Sequence, residues 1–252
     1  MGLGTPVREM SWREQYLERF YKSRPGWTNG TEEFHDLCRA TIRPGSKILE
    51  IGSGPSNASS RFLASLGKVH GVDVTPELRA NDALESGEVS DGVSIPFPDA
   101  SFDACVSNYV LEHVEKPEEQ LREIFRVSKP GGAYLVRTPN LVHYVALIAA
   151  ATPHWFHELV ANRARDMAAG SHLPYPTMYR MNTPRAVRRI ADAVGFDVET
   201  LRMVEKEPSY GMVARPVFLG LMAYERLVNS TDRLAFARAN LFVVLRKPAA
   251  ST

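Results

Sequence analysis

The chain has 252 residues, 44% of them hydrophobic, and a formal net charge of +1. That content suits one globular core with inserts, and the charge balance offers no basic stripe for a nucleic-acid backbone. The two cysteines, Cys38 and Cys105, form no ligand cluster. Cys105 lies in an apolar run as a small hydrophobe, which fits a reducing cytoplasm. The first residues lack a basic-then-apolar leader pattern. No run approaches the roughly 18 apolar residues of a membrane span. The expectation is a cytoplasmic protein with no integral membrane segment and no nucleic-acid partner.

Residues 7 to 41 read as two helices. Trp12, Tyr16, Leu17 and Phe20 recur at helical spacing, and Arg24-Pro25-Gly26 stops the first helix. Asn29 or Thr31 caps the second, which carries Phe34, Leu37 and Cys38. These aromatics either pack on a core sheet or form a lid over a ligand, with Tyr16 and Tyr21 as contacts.

The chain is organised around Lys47–Asn57, KILEIGSGPSN. Ile48, Leu49 and Ile51 read as a strand buried on both faces. The run ends in Gly52-Ser53-Gly54-Pro55, where glycine permits a sharp turn and close approach of a ligand. Ser56 and Asn57 can cap a following helix, whose free N–H groups suit an anionic or polar ligand. That helix turns Phe62, Leu63 and Leu66 toward the sheet and is expected to end at Gly67. Lys68–Val74 reads as the next strand. Its Asp73 lies roughly 20 positions after the glycine turn, where an acid can accept from both hydroxyls of a ribose. Asn57 stands where a dinucleotide fingerprint needs a small residue, which argues against a nicotinamide or flavin enzyme. Thr75-Pro76-Glu77 then opens a helix that Asn81-Asp82 and Ser86-Gly87 break early.

The next piece is Asp91–Asp103, DGVSIPFPDASFD, leading to a strand at Ala104 and Val106 and then to SNYVLEHV. Here the chain resembles the class I S-adenosylmethionine (SAM)-dependent methyltransferases, in their small-molecule, type 11-like subgroup. The resemblance rests on E-I-G-S-G at Glu50–Gly54, V-D-V at Val72–Val74 and I-P-F-P-D-A-S-F-D at Ile95–Asp103. It continues through L-E-H-V at Leu111–Val114, R-V-S-K-P-G-G at Arg126–Gly132 and T-P-N at Thr138–Asn140. It implies a Rossmann-like, doubly wound α/β fold with a seven-stranded sheet and one antiparallel strand. It also implies that SAM is held by Glu50, Gly52, Gly54, Asp73, Val74, Asp91, Gly92, Asn108 and Tyr109. In that reading Asp91 accepts from the adenine amine, the Gly92 backbone touches the ring, and the Asn108 carbonyl faces the SAM amine. Glu112 and His113 follow, with His113 read as structural.

Pro117 opens a scaffold helix with Glu118 and Glu119 in its first turn and Leu121, Ile124 and Phe125 buried. Ala133–Arg137 is the fifth strand. The last large helix is Thr183–Val194, capped by Thr183. Between them lies an insert, 141–182, leaving the carboxyl edge of the sheet, where long insertions carry function. Two short helices are expected there, about 141–151 and 154–168, then the loop LPYPT. Within it Tyr144, His154 and His157 are candidates for orienting or deprotonating an acceptor. His143, His172, Tyr175 and Tyr179, with Tyr16 from the N-terminal region, are candidate acceptor contacts. No familiar metal spacing occurs, so no metal is expected. A sixth strand is read near Asp197–Val204. A second insert, about 206–238, holds an apolar helix that could cap the acceptor site, form a homodimer face or rest on a membrane surface. Asn240–Leu245 is the last strand.

The whole chain, 1–252, therefore reads as one methyltransferase domain with a helical cap (1–43) and two inserts. It would move the SAM methyl group to an O, N or C nucleophile of a small molecule in biosynthesis, with a secondary metabolite as the expected acceptor. The alternative is a SAM-binding protein with other chemistry or a regulatory role.

Overall fold

The computed structural model describes residues 10–144 and 176–249. Its core is a seven-stranded sheet of β1 (Ser46–Ile51), β2 (Gly67–Asp73), β3 (Ser86–Val89), β4 (Phe102–Asn108), β5 (Ser128–Pro139), β6 (Asp197–Val204) and β7 (Asn240–Arg246). The spatial order is β3-β2-β1-β4-β5-β7-β6. The first five strands run parallel, and β7 is antiparallel to both its neighbours. This is the expected Rossmann-like arrangement. The order reverses between β1 and β4, where an open α/β sheet places its ligand crevice.

Alternation along the strands builds two cores. On one face Leu49, Ile51, Cys105, Tyr134, Val136, Leu241 and Val243 pack with α4 (Pro117–Val127) and α5 (Pro184–Val194). On the other face Ile48, Val69, Val106, Leu135, Phe242 and Val244 pack with α2 (Gly30–Thr41) and α3 (Ala58–Ala64). β7 is covered on both sides, and Leu241 to Leu245 are all buried. Each such side chain contributes about 1.5–3 kcal/mol of transfer free energy.

A third cluster lies apart. It joins α1 (Trp12–Leu17) and the π-type turn after it (Glu18–Lys22) to α6 (Arg215–Asn229) through Tyr21, Met212 and Phe218. Tyr16 belongs here, edge-on to Trp12, Phe20 and Phe218 with ring centroids 5.4–5.5 Å apart. Tyr21 is buried and donates its hydroxyl to Glu225 at 3.1 Å. Among the described residues no helix is long and apolar enough to cross a membrane.

The caps follow the sequence. Asn29 accepts from the amides of Thr31 and Glu32, and Thr183 accepts from Ala186 ahead of Pro184. Two boundaries differ from expectation. Gly67 does not end α3 but opens β2, because a Cβ there would lie 2.1 Å from the Ser46 carbonyl oxygen of the adjacent strand. Ser86-Gly87 does not merely break a helix. It begins the short edge strand β3, with Gly87 set against the Leu78 side chain.

Candidate cofactor and acceptor site

A cleft of about 610 Å³ opens along the carboxyl ends of β1, β2 and β4. Its floor is Ile51, Gly52 and Val72, and Tyr109 and Val110 form one wall. Asp73, Val74, Asp91 and Gly92 line the far side, with Ile95 beside them. The cleft thus gathers Gly52, Asp73, Val74, Asp91, Gly92 and Tyr109 from four separate stretches of sequence, while Glu50, Gly54 and Asn108 are not among its lining residues.

The glycine turn supplies the backbone geometry. Gly52 and Gly54 have φ of +70° and +53°, values that L side chains rarely adopt. A Cβ at Gly52 would meet Val110 Cγ2 at 2.4 Å, whereas one at Gly54 would meet nothing within 4 Å. The turn is therefore packed on one side and open on the other. Asp73 Oδ2 accepts from the Gly54 amide at 2.9 Å, and Oδ1 accepts from the Thr75 amide and hydroxyl.

Three buried polar atoms around this turn have no hydrogen-bond partner among the described residues: Glu50 Oε2, Ser53 Oγ and Asn108 Oδ1. Burial raises the Glu50 carboxyl to about 7, with Ser60 holding it down and the charge of Asp73 adding to the rise. Orphaned acceptors of this kind cost free energy unless a ligand supplies donors. Two oxygens and a hydroxyl fit a ligand ammonium, and the open side of Gly54 leaves room for the rest of it. The residues present thus suit the aminoacyl end of SAM.

At the Asp91 end of the cleft, this residue is folded into its own turn. Oδ1 accepts from the amides of Val93 and Ser94 and Oδ2 from the Ser94 hydroxyl. Those bonds, the Val93 amide first, lower its pKa. Gly92 has φ +87° and its carbonyl accepts from Gln120 Nε2 at 2.8 Å, which fixes the loop against α4. Val74 and Ile95 give this end apolar surface.

Tyr109 also has a left-handed backbone, φ +58°, which is rare for an aromatic residue and concentrates at functional sites. Its hydroxyl donates to Asn240 Oδ1 at 2.9 Å. The segment after it is pinned by residues 176–182. The amides of Met178 and Tyr179 donate to the Glu112 carbonyl, and His113 Nδ1 lies 3.0 Å from the Pro176 oxygen. Glu112 is buried and accepts from Thr138 Oγ1, while Asn182 donates to the same hydroxyl oxygen. Burial raises the Glu112 carboxyl.

The acceptor-side candidates fall in different places. His143 is buried, with Nε2 3.4 Å from Glu205 Oε2 and its ring centroid 4.1 Å from that of Tyr144. Tyr144 is edge-on to Tyr224 at 4.9 Å. Tyr179, with φ +51°, is not among the residues that line the cleft, although its neighbour Met178 is. The structure does not bring Tyr16 to the cleft; it packs against Phe218. His154, His157, His172 and Tyr175 lie outside the described residues, as do most of the two helices expected between 141 and 168. Cleft residues that sequence reasoning missed include Ser90, Gln120, Pro176 and Met178. Pro176 was legible only as part of a proline-rich loop. Gln120 lies on an ordinary helix and carries no signal of its own.

The strand order, the glycine turn and the acidic residue closing β2 define a nucleotide-type ligand site on a methyltransferase-like sheet. Residues 49–136 match a family model described as a methyltransferase domain. A malonyl-acyl-carrier-protein O-methyltransferase of Erwinia billingiae is 32% identical over 157 residues, covering 57% of this chain and 60% of that one. A ubiquinone/menaquinone biosynthesis C-methyltransferase of a Ruegeria strain is 31% identical over 106 residues, covering 37% and 42%. The chain thus spans about half the length of the curated relatives it matches. Among solved structures, a SAM-dependent methyltransferase of Methanosarcina mazei superposes with a TM-score of 0.54 at 16% identity, over 84% of this chain and 97% of that one. The cyclase SpnF superposes with a TM-score of 0.56 at 17% identity, over 90% and 85%. The domain match and these relatives support a class I SAM-dependent methyltransferase of the type 11 group with SAM as its cofactor, and the solved structures share its fold.

Proposed function

We propose that this protein transfers the methyl group of SAM to an oxygen, nitrogen or carbon nucleophile of a small molecule in biosynthesis. The observation that carries the reading is the set of three orphaned buried polar atoms, Glu50 Oε2, Ser53 Oγ and Asn108 Oδ1, at the glycine turn. Their residues adjoin Gly52 and Tyr109 in the chain, and those two line the cleft together with Asp73 and Asp91.

In this reading Glu50 and Asn108 bind the ammonium of the cofactor. Asp73 accepts from its ribose, and Val74, Gly92 and Ile95 hold its adenine. When bound, SAM supplies an already activated methyl group on a sulfonium. The chain then needs chiefly to hold donor and acceptor aligned and dry, which supplies much of the acceleration. Tyr109 and Val110, which line the cleft, would border the bound cofactor. Residues of the insert, Tyr144, His154 and His157 first, orient the acceptor or take its proton, with His143, His172, Tyr175 and Tyr179 behind them. A small-molecule acceptor is supported by the relative named for C-methylation in ubiquinone/menaquinone biosynthesis, whereas the other is named for O-methylation of malonyl-acyl-carrier protein, a carrier-bound acceptor.

The test is calorimetric titration with SAM, followed by a screen of carboxylic acids, phenols and amines for methyl acceptance. Micromolar SAM binding with at least one methylated product is expected. No SAM binding would overturn the reading. Binding with no methylated product in any class would point to a SAM-dependent protein of other chemistry.

A further inference from the structure

We propose that Arg137 anchors a carboxylate carried by a ligand of the cleft, a reading that rests on the methyl-transfer assignment above. Arg137 stands near the carboxyl end of β5, next to Asn108 of β4 in the register. It is 8% exposed. Its guanidinium lies 4.6 Å from the centroid of Tyr109 and 5.7 Å from that of Phe242. Nη1 donates to Thr31 Oγ1 at 3.0 Å, while Nε is buried with no partner among the described residues. No carboxylate of the described residues reaches ion-pair distance of this guanidinium.

A buried charge without a counterion is costly, and the usual remedy is a paired, hydrogen-bonded anion. Here two of the nearby acids are committed elsewhere. Glu112 is bonded to Thr138, and Glu33 pairs with Lys206. Glu207 is the exception: its Oε2 is buried with no hydrogen-bond partner among the described residues, burial raises its carboxyl, and it makes no ion pair with Arg137. The position is nonetheless built for this side chain. A Cβ at residue 30 would lie 2.9 Å from Nη2, so the guanidinium packs directly against Gly30. With Nη1 engaged, Nε and Nη2 remain as the side-on edge of the guanidinium, which matches the two oxygens of a carboxylate. A dianionic phosphate fits less well beside Glu112 and Glu207. Tyr109 connects the site to the methyl-transfer cleft, because the ring that covers Arg137 also lines that cleft.

The carboxylate has two sources, an acid group on the acceptor or the aminoacyl tail of SAM. The experiment compares wild type with R137Q and with R137K, which keeps the charge but loses the fork. Melting is followed in millimolar malonate against chloride of matched ionic strength. Binding of SAM and decarboxylated SAM is followed by calorimetry. Wild type is expected to gain about 2–4 °C in malonate, with the gain absent in R137Q and reduced in R137K. Equal affinity of wild type for SAM and decarboxylated SAM then assigns the site to the acceptor. A preference for SAM of about tenfold or more that R137Q abolishes assigns it to the cofactor. The proposal is overturned if malonate stabilises R137Q as it does wild type. It is also overturned if wild type neither responds to malonate nor distinguishes the two cofactors. Failure of wild type to bind SAM at all, with the malonate response intact, would sink the methyl-transfer reading alone.

Discussion

Asp73 Oδ2 accepts the Gly54 amide at 2.9 Å, tying the end of β2 to the open side of the glycine turn. The same carboxylate is the ribose acceptor in the reading above, so one side chain shapes the turn and receives the ligand. Asp73→Ala removes both functions. A hydrogen bond to a charged group is worth about 1.5–3 kcal/mol, so SAM affinity should fall roughly 10- to 100-fold. Calorimetric titration checks this, and affinity equal to wild type would remove Asp73 from the ribose contact.

The Glu50 carboxyl, raised to about 7 by burial, makes stability and binding respond oppositely to pH. The folded state holds this proton more tightly than the unfolded chain, whose glutamate titrates near 4.5. Its contribution to stability is therefore complete below about pH 4.5 and is lost as pH rises through about 7. The loss is on the order of 3 kcal/mol. Binding of an ammonium needs the ionised form, so SAM affinity should rise by up to about tenfold per unit as pH climbs toward 7. Denaturant unfolding and SAM titration at several pH values, repeated with Glu50→Gln, separate the two. In that variant both dependences should flatten across this window, and persistence of either would assign it to another group.

Gly52 and Val110 offer a second-site test of how the turn is packed. Gly52→Ala puts a methyl 2.4 Å from Val110 Cγ2 and places an L residue at φ +70°. The cost should be about 1–3 kcal/mol of stability, with SAM affinity reduced at least about tenfold. Adding Val110→Ala removes the clash but not the backbone strain. The double variant should therefore recover part of the lost stability, a coupling that a double-mutant cycle reads directly. A strictly additive cycle would mean that the loss comes from the backbone alone.

Much of the sheet was legible because buried parallel strands are short apolar runs bounded by glycine, proline and caps. Ile48–Ile51, Ala104–Val106 and Leu241–Leu245 declare themselves in that way. β3 did not, since an edge strand of four residues with Glu88 and Val89 exposed has no buried pattern to read. The motifs did pick out residues that line the cleft, because Gly52, Asp73 and Gly92 answer to backbone geometry that leaves a trace in residue type. The acceptor side is made by tertiary contact alone. Nothing in the spacing of Tyr16 distinguishes a lid from a packed aromatic, and its contact with Phe218 comes from an element about 200 positions away. Nor does the residue type of His143 reveal that Glu205 will lie beside it.

That pair sets up the last prediction. His143 is 4% exposed and sits between Glu205 and Tyr144. Its removal should act first through packing and the buried carboxylate it faces, so His143→Ala is expected to lower stability by about 2–4 kcal/mol. Tyr144 stands at the start of the insert, edge-on to Tyr224. If its hydroxyl orients or deprotonates the acceptor, Tyr144→Phe should cut turnover by about a hundredfold while melting temperature and SAM affinity stay near wild type. His154→Ala and His157→Ala belong in the same series, and the same split between turnover and SAM affinity identifies a base among them. The measurements are initial rates with the acceptor found by screening, beside thermal melts and SAM titration of each variant. Near-normal turnover in Tyr144→Phe and in both histidine variants would leave no general base among them. Alignment of donor and acceptor in the cleft would then account for the reaction, as it can when the methyl is already activated.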